Sequence, residues 1–144
     1  MFSKACEYGI RAMIYIATQS LEGKRVKIGD VAENAGSPEA FTAKVLGLLT
    51  KHNIVISQTG PNGGFEIHEK LMKETKLSQI VSAIDGDSVY NGCGLGLEQC
   101  DETHPCPLHS QFAKIRSDLK KMLETTTIYD LAAKLKNGEI VLMR

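Results

Sequence analysis

A chain of 144 residues with 42% hydrophobic content is long enough for one folded unit with a sizeable core and a short appendage. Seventeen basic residues balance seventeen acidic ones, so net charge supplies no global attraction to a polyanion. No apolar run reaches about 18 residues and no charged, apolar, small-residue leader opens the chain, which argues against a membrane span or export and places the chain in the cytoplasm.

Cys6, Ile10, Met13, Ile14, Ala17 and Leu21 recur at helical spacing and predict a first helix that stops near Gly23. Cys6 lies on its apolar stripe and reads as a small core residue. Lys24, Arg25 and Lys27 read as a solvated loop face. Ile28 to Ala35 predicts a short helix closed by Gly36. Ser37 then supplies an N-cap and Pro38 a first helical position for a helix running to about His52, with Phe41, Val45, Leu48 and Leu49 facing inward. Two short helices joined by a tight turn form a helix-turn-helix, which offers its second helix to a DNA major groove.

Ile54 to Gln58 is rich in β-branched residues, Thr59 to Gly64 is turn chemistry throughout, and Phe65 to His68 alternates as a returning strand. A hairpin directly after a helix-turn-helix is the wing of a winged helix. The fold class expected is mainly α with a small β-hairpin wing: a winged helix-turn-helix carrying a long C-terminal dimerisation helix. Residues 1–60 hold seven basic residues against five acidic ones, a mild excess that the rest of the chain balances. The candidate DNA contacts are Ser37, Glu39, Ala40, Phe41, Thr42 and Lys44 at the start of the second helix, with Thr59 and Asn62 on the wing. Lys4, Arg11 and Lys51 are candidate phosphate clamps. Phe41 has a competing reading as a core residue, against contact with a thymine methyl.

Leu77 to Ile84 predicts another helix, ending at Asp85-Gly86. Residues 86–106 are rich in Gly, Asn, Asp and Cys and have too few apolar side chains to pack unaided, so the stretch needs an organiser. It carries Cys93-x6-Cys100-x5-Cys106-x2-His109, four soft or borderline ligands able to close around one metal centre, which would offset the cost of ordering the loop. Clustered cysteines without an export signal favour metal or redox chemistry over structural disulfides. Spacing alone leaves zinc, which accepts a closed Cys3His set, and an iron–sulfur cluster equally open. His104, inside the loop, is a reserve ligand.

From Pro107 the residues Leu108, Phe112, Ile115, Leu119 and Met122 step by four and three, a heptad seam suited to one partner helix and hence to a homodimer; packing against the chain's own first helix is the alternative. Thr127 to Asp130 is a capping-box start for a last helix that stops at Asn137-Gly138. The expected organisation is a DNA-binding unit over 1–84, a cysteine-bearing loop over 85–106, and dimerisation and C-terminal helices over 107–144. No carboxylate pair, phosphate-cradling loop or Ser/His/Asp set stands out, so an enzyme is not expected. A small iron–sulfur electron carrier is a reading of another class, and it would have no use for the helix-turn-helix.

Taken together, Ser3 to Met13, the helix-turn-helix, the wing Gly60-Pro61-Asn62-Gly63-Gly64-Phe65, the three-cysteine loop and Thr127 to Leu131 resemble the Rrf2 family of bacterial transcriptional regulators over essentially the whole chain. The resemblance implies a winged-helix homodimer acting on a double-stranded DNA operator and, for three-cysteine members, an iron–sulfur cluster reporting redox state, nitric oxide or cluster supply. It assigns Cys93, Cys100 and Cys106 as cluster ligands. The fourth is His109 or, reaching across from the partner subunit, Glu7; His109 is favoured, with a 2Fe–2S cluster over 4Fe–4S. A zinc- or thiol-based regulator of the same fold is the alternative. Two departures stand out: six residues separate Cys93 from Cys100 where the family gap is often shorter, and Thr59 stands where many members carry an arginine.

Overall fold

The computed structural model describes residues 2–98 and 101–142. Its central element is helix α1 (Lys4–Leu21), which packs against α2 (Ile28–Ala35), α3 (Glu39–Lys51), α5 (Leu77–Asp85) and α8 (Ile128–Lys136). The apolar stripe that predicts α1 is the reason: Cys6, Met13, Ile16 and Ala17 are fully buried. Ser3 caps the helix by accepting from the Cys6 amide at 3.0 Å. The Asp85 carboxylate, at the end of α5, accepts from the Ser3 amide at 3.0 Å and from the Ser3 hydroxyl, so α5 is fastened to the start of α1.

Helix α2 ends at Gly36 in the left-handed region (φ 66°), a conformation glycine adopts without a Cβ clash, and this makes the sharp turn into α3. The cap of α3 differs from expectation. Pro38 itself is the extended N-cap residue and the helix begins at Glu39, while the Ser37 hydroxyl bonds the Thr42 side chain instead of a backbone amide. The inward face of α3 is Thr42, Val45, Leu46 and Leu49; Phe41 and Leu48 are half-buried at its edges.

Strands β1 (Ile56–Gln58) and β2 (Gly64–Glu66) pair antiparallel, with Ser57 opposite Phe65. They are shorter than the apolar run suggests, because Ile54 and Val55 go into the core instead of the sheet. Val26 bridges Phe65 through reciprocal hydrogen bonds of 3.1 and 2.8 Å and so adds a third partner to the hairpin. A Cβ on Gly64 would lie 2.6 Å from the Val26 carbonyl oxygen, so this close crossing requires glycine. A short helix, α4 (Glu69–Glu74), not expected from the sequence, follows the wing and buries Met72.

After α5 the chain makes one turn of helix, α6 (Ser88–Asn91), held by Val89 and Tyr90 against the core, and then runs irregularly to α7 (His109–Thr125). Helix α7 lies against α5 and α6. Helix α8 starts in the capping box formed by Thr127 and Asp130 and buries Ile128 and Ala132 in the same core as α1. No helix among the described residues is long and apolar enough to cross a membrane.

Candidate nucleic-acid interface and metal centre

The face of α3 opposite its buried residues consists of Ala40, Ala43, Lys44, Gly47 and Lys51, all exposed, with Glu39 at the helix start. Three of these five are Ala or Gly, which lets another surface approach the helix backbone closely. Ala43 and Gly47 were not singled out in the sequence; their spacing from Ala40 and Lys44, complementary to the buried positions, is the signal that finds them. Thr42 does not belong to this face. It is 1% exposed and its hydroxyl donates to the Pro38 carbonyl at 2.8 Å, so it braces the first turn of α3. Phe41 meets Tyr8 edge-to-face with ring centroids 5.5 Å apart, joining α3 to α1 in support of the core reading.

Beside α3, the wing presents Thr59 and Asn62 exposed at its tip. Between them lies a groove of about 480 Å³, lined among others by Lys27, Ala43, Gly47, Thr50, Gln58 and Phe65. The loop before α2 is not a plain solvated face. Arg25 pairs with Glu66 at 3.2 Å and reaches the Asn62 carbonyl at 3.5 Å, and the Lys27 ammonium donates to the Gly60 and Pro61 carbonyls, both at 3.2 Å. Burial of neighbouring Val26 fixes the backbone from which both side chains extend. Of the candidate clamps, Lys4 pairs with Glu7 at 3.2 Å, Arg11 sits over the Tyr8 ring at 5.1 Å, and Lys51 is exposed in the last turn of α3.

The structure brings two of the loop cysteines together. The Cys106 side chain lies near enough to the Cys93 sulfur to favour its thiolate, and neither is in a disulfide. Backbone N–H groups of Leu95 and Leu97 point at the Cys93 sulfur, Leu95 from 3.4 Å, and with Cys106 and the Gly96 amide they hold the Cys93 thiol below its ordinary range. Such a ring of amides suits an anionic sulfur, which is the form that binds metal. His109 opens α7, and its amide donates to the Cys106 carbonyl at 3.1 Å, placing Cys106 beside the helix N-terminus. Cys100 lies outside the described residues. Among the described residues no three His, Cys, Asp or Glu side chains converge at metal-holding distance. His104 is engaged with the Asp101 carboxylate at 3.2 Å. Hydrogen bonds from Thr103 and His104 lower Asp101 to about 2, and this local knot stands just before Cys106.

Two contacts fasten the loop to α7. Arg116 donates to the Gly92 carbonyl at 2.6 Å, one residue before Cys93, and Gly94 lies directly on the Phe112 ring. The heptad seam on α7 is thereby divided. Phe112 and Leu119 are half-buried against their own chain, whereas Leu108, Ile115 and Met122, seven residues apart, are 40%, 52% and 48% exposed.

A helix-turn-helix followed by a two-stranded hairpin laced to its flank, with small residues and lysines on the outer face of α3, defines a winged-helix DNA-binding protein. The Rrf2 profile, described as an iron-dependent transcriptional regulator, matches residues 2–134, and the chain belongs to this family. It is a transcriptional regulator of that family. A protein of Aquifex aeolicus (strain VF5), named among the HTH-type transcriptional regulators, is 30% identical over 133 residues, covering 91% of this chain and 90% of that one. The HTH-type transcriptional regulator IscR of Pectobacterium atrosepticum is 27% identical over 93% of this chain and 78% of its own. Two solved structures share the fold. CymR, the global cysteine regulator of B. subtilis, has a TM-score of 0.73 at 21% identity over 92% of this chain and 96% of its own. T. potens IscR has a TM-score of 0.72 at 20% identity over 98% of this chain and 92% of its own.

Proposed function

We propose that this Rrf2 regulator binds a DNA operator as a homodimer and that an iron–sulfur cluster held by Cys93, Cys100, Cys106 and His109 sets its DNA affinity. The observation that carries this reading is the meeting of Cys93 and Cys106 in a ring of backbone amides at the start of α7. Three of the four proposed donors support it: the Cys93 and Cys106 side chains lie near one another, and His109 stands on the first turn of the next helix. When bound, the cluster would supply a redox-sensitive anionic centre, favoured by the dipole of the α7 N-terminus. Glu7 remains a competing fourth ligand from the partner subunit, and its present pairing with Lys4 would have to open.

The chain's own residues provide the linkage. Arg116 and Phe112 transmit any shift of the loop to α7, and the exposed Leu108, Ile115 and Met122 are the face on which a second copy's α7 would pack. A change in that packing alters the separation of the two α3 helices, and with it the fit to two half-sites. Ala40, Lys44, Lys51, Thr59 and Asn62 are the contacts retained for the interface, with Ser37 and Glu39 at the helix start.

A second reading has its own support in the Cys93–Cys106 contact. Two adjoining thiols, one with a lowered pKa, are arranged to form a disulfide, losing two protons and two electrons to an oxidant such as a peroxide. Anaerobic purification followed by absorbance, iron, sulfide and zinc assays separates the readings. Coloured protein with iron and sulfide, whose duplex affinity differs from the apo form at matched salt, is the expected result. Colourless zinc protein, or apo and holo forms of equal affinity, would overturn the cluster reading; a peroxide-induced Cys93–Cys106 disulfide that changes affinity would replace it.

A further inference from the structure

We propose that Lys27, from the segment before α2, is a phosphate-contacting residue of the DNA-reading face and supplies the positive charge that the wing itself lacks. This inference rests on α3 and the wing being that face.

Residues 56–66 contain no lysine or arginine, so the hairpin brings no cation of its own to a polyanion. Arg25 lies beside it, but its guanidinium is matched by the Glu66 carboxylate at 3.2 Å. Lys27 differs in kind. Its ammonium bonds only the neutral carbonyls of Gly60 and Pro61, and among the described residues no carboxylate pairs with it. Its full charge therefore stays at the base of the wing tip. Of three ammonium donors, two serve those carbonyls and one is left over.

Place and neighbours point the same way. Lys27 is exposed and, among the described residues, is the one charged side chain lining the groove between α3 and the wing. The opposite wall, Ala43 and Gly47, is too small to obstruct a sugar–phosphate strand, and Thr50, Ser57 and Gln58 add polar atoms. Lys44 and Lys51 stand exposed on the same α3 and extend the charge along it. The occupant whose charge and shape match is a backbone strand of duplex DNA.

A purely structural Lys27 would steady the wing through its two carbonyl bonds and never touch DNA. The salt dependence of binding tells the roles apart, because only a lost phosphate contact changes the number of counterions released. Full-length protein is titrated by fluorescence anisotropy against a labelled mixed-sequence duplex of about 30 base pairs at salt between about 50 and about 200 mM. The variants are Lys27→Gln, which keeps donors for the carbonyls without the charge, and Lys27→Arg, with Lys24→Met as a control from the same loop, outside the groove and paired with Glu22. The expected result is a slope of log affinity against log salt that falls by about one per half-site in Lys27→Gln, reducing the affinity span across that range about three- to fourfold per contact. Lys27→Arg and Lys24→Met keep the parent slope. Weaker binding by Lys27→Gln with an unchanged slope would make Lys27 a wing brace only and overturn the proposal. Parent protein that binds no duplex would instead overturn the assignment of the face.

Discussion

The Arg116 guanidinium donates a 2.6 Å hydrogen bond to the Gly92 carbonyl, tying the middle of α7 to the residue that precedes Cys93. A loop fixed only at its ends would absorb a change at its cysteines, whereas one pinned to α7 passes the change on. On the proposed cluster reading, Arg116→Met should leave iron and sulfide content intact and shrink the difference in duplex affinity between apo and holo forms. Couplings of this kind amount to about 1–3 kcal/mol, and most of that should disappear. Anisotropy titrations of both forms measure it, and an unaltered apo-to-holo ratio would show that the signal takes another path.

Gly94 tests the second fastening. A Cβ there would run into the Phe112 ring, so Gly94→Ala should cost about 1–3 kcal/mol as an overpacked contact. Phe112→Leu should recover part of that loss in the double variant, because the two sites are in contact and their effects do not add. Thermal unfolding of the four proteins gives the cycle, and strict additivity would count against the contact.

Cys6 is fully buried, and its thiol is pushed up to about 12 by that burial, then by the Asp85 carboxylate, to which it is also hydrogen-bonded, and by Glu7. A thiol reagent at pH near 8 should therefore label loop cysteines in the native protein and Cys6 only after denaturation. The folded pKa lies above the ordinary 9.0, so the native state holds this proton more tightly than the unfolded chain. The stability this contributes is complete below about pH 9 and declines as pH rises towards 12. Cys6→Ala should be less stable at neutral pH, and the gap to the parent should narrow at alkaline pH. A gap constant from pH 7 to 11 would contradict this account.

Ile115 is 52% exposed at the centre of the outward line of α7, so Ile115→Glu should change protomer stability by no more than about 0.5 kcal/mol. In a pair of helices meeting there, two such carboxylates would face one another. Sedimentation velocity should show a shift from dimer to monomer, and operator binding should fall with it. A dimer of undiminished stability would place the interface elsewhere.

Where a long apolar stripe or a cap meets the core, the amino-acid order sufficed; the six-residue α4, with Met72 as its one buried side chain, is too short for a period to show. The stripe of α1, the Gly36 turn, the Thr127 capping box and the heptad spacing of α7 all signal themselves through local periodicity or capping chemistry. Contacts between distant segments escaped. Nothing near Arg25 or Lys27 in the sequence indicates that Glu66, Gly60 and Pro61 lie beside them, because the Val26–Phe65 bridge spans 39 positions. Thr42 misled for a different, local reason: threonine at the start of a recognition helix is polar enough to read bases, yet it shares the buried face of Val45, Leu46 and Leu49 and satisfies its hydroxyl on the Pro38 carbonyl. The heptad seam was visible as a pattern, but only the loop resting on Phe112 reveals which half of it stays exposed.

The Val26–Phe65 bridge has a bearing on how such proteins can be recombined. With Arg25, Val26 and Lys27 gripping the hairpin, a wing cut at its own strand ends and grafted into another winged helix would arrive without its bridging partner and without the two cations that bond it. The transferable cassette is therefore discontinuous, residues 24–28 together with 54–67, and a specificity swap that moves one piece alone should yield a floppy wing on an otherwise sound scaffold.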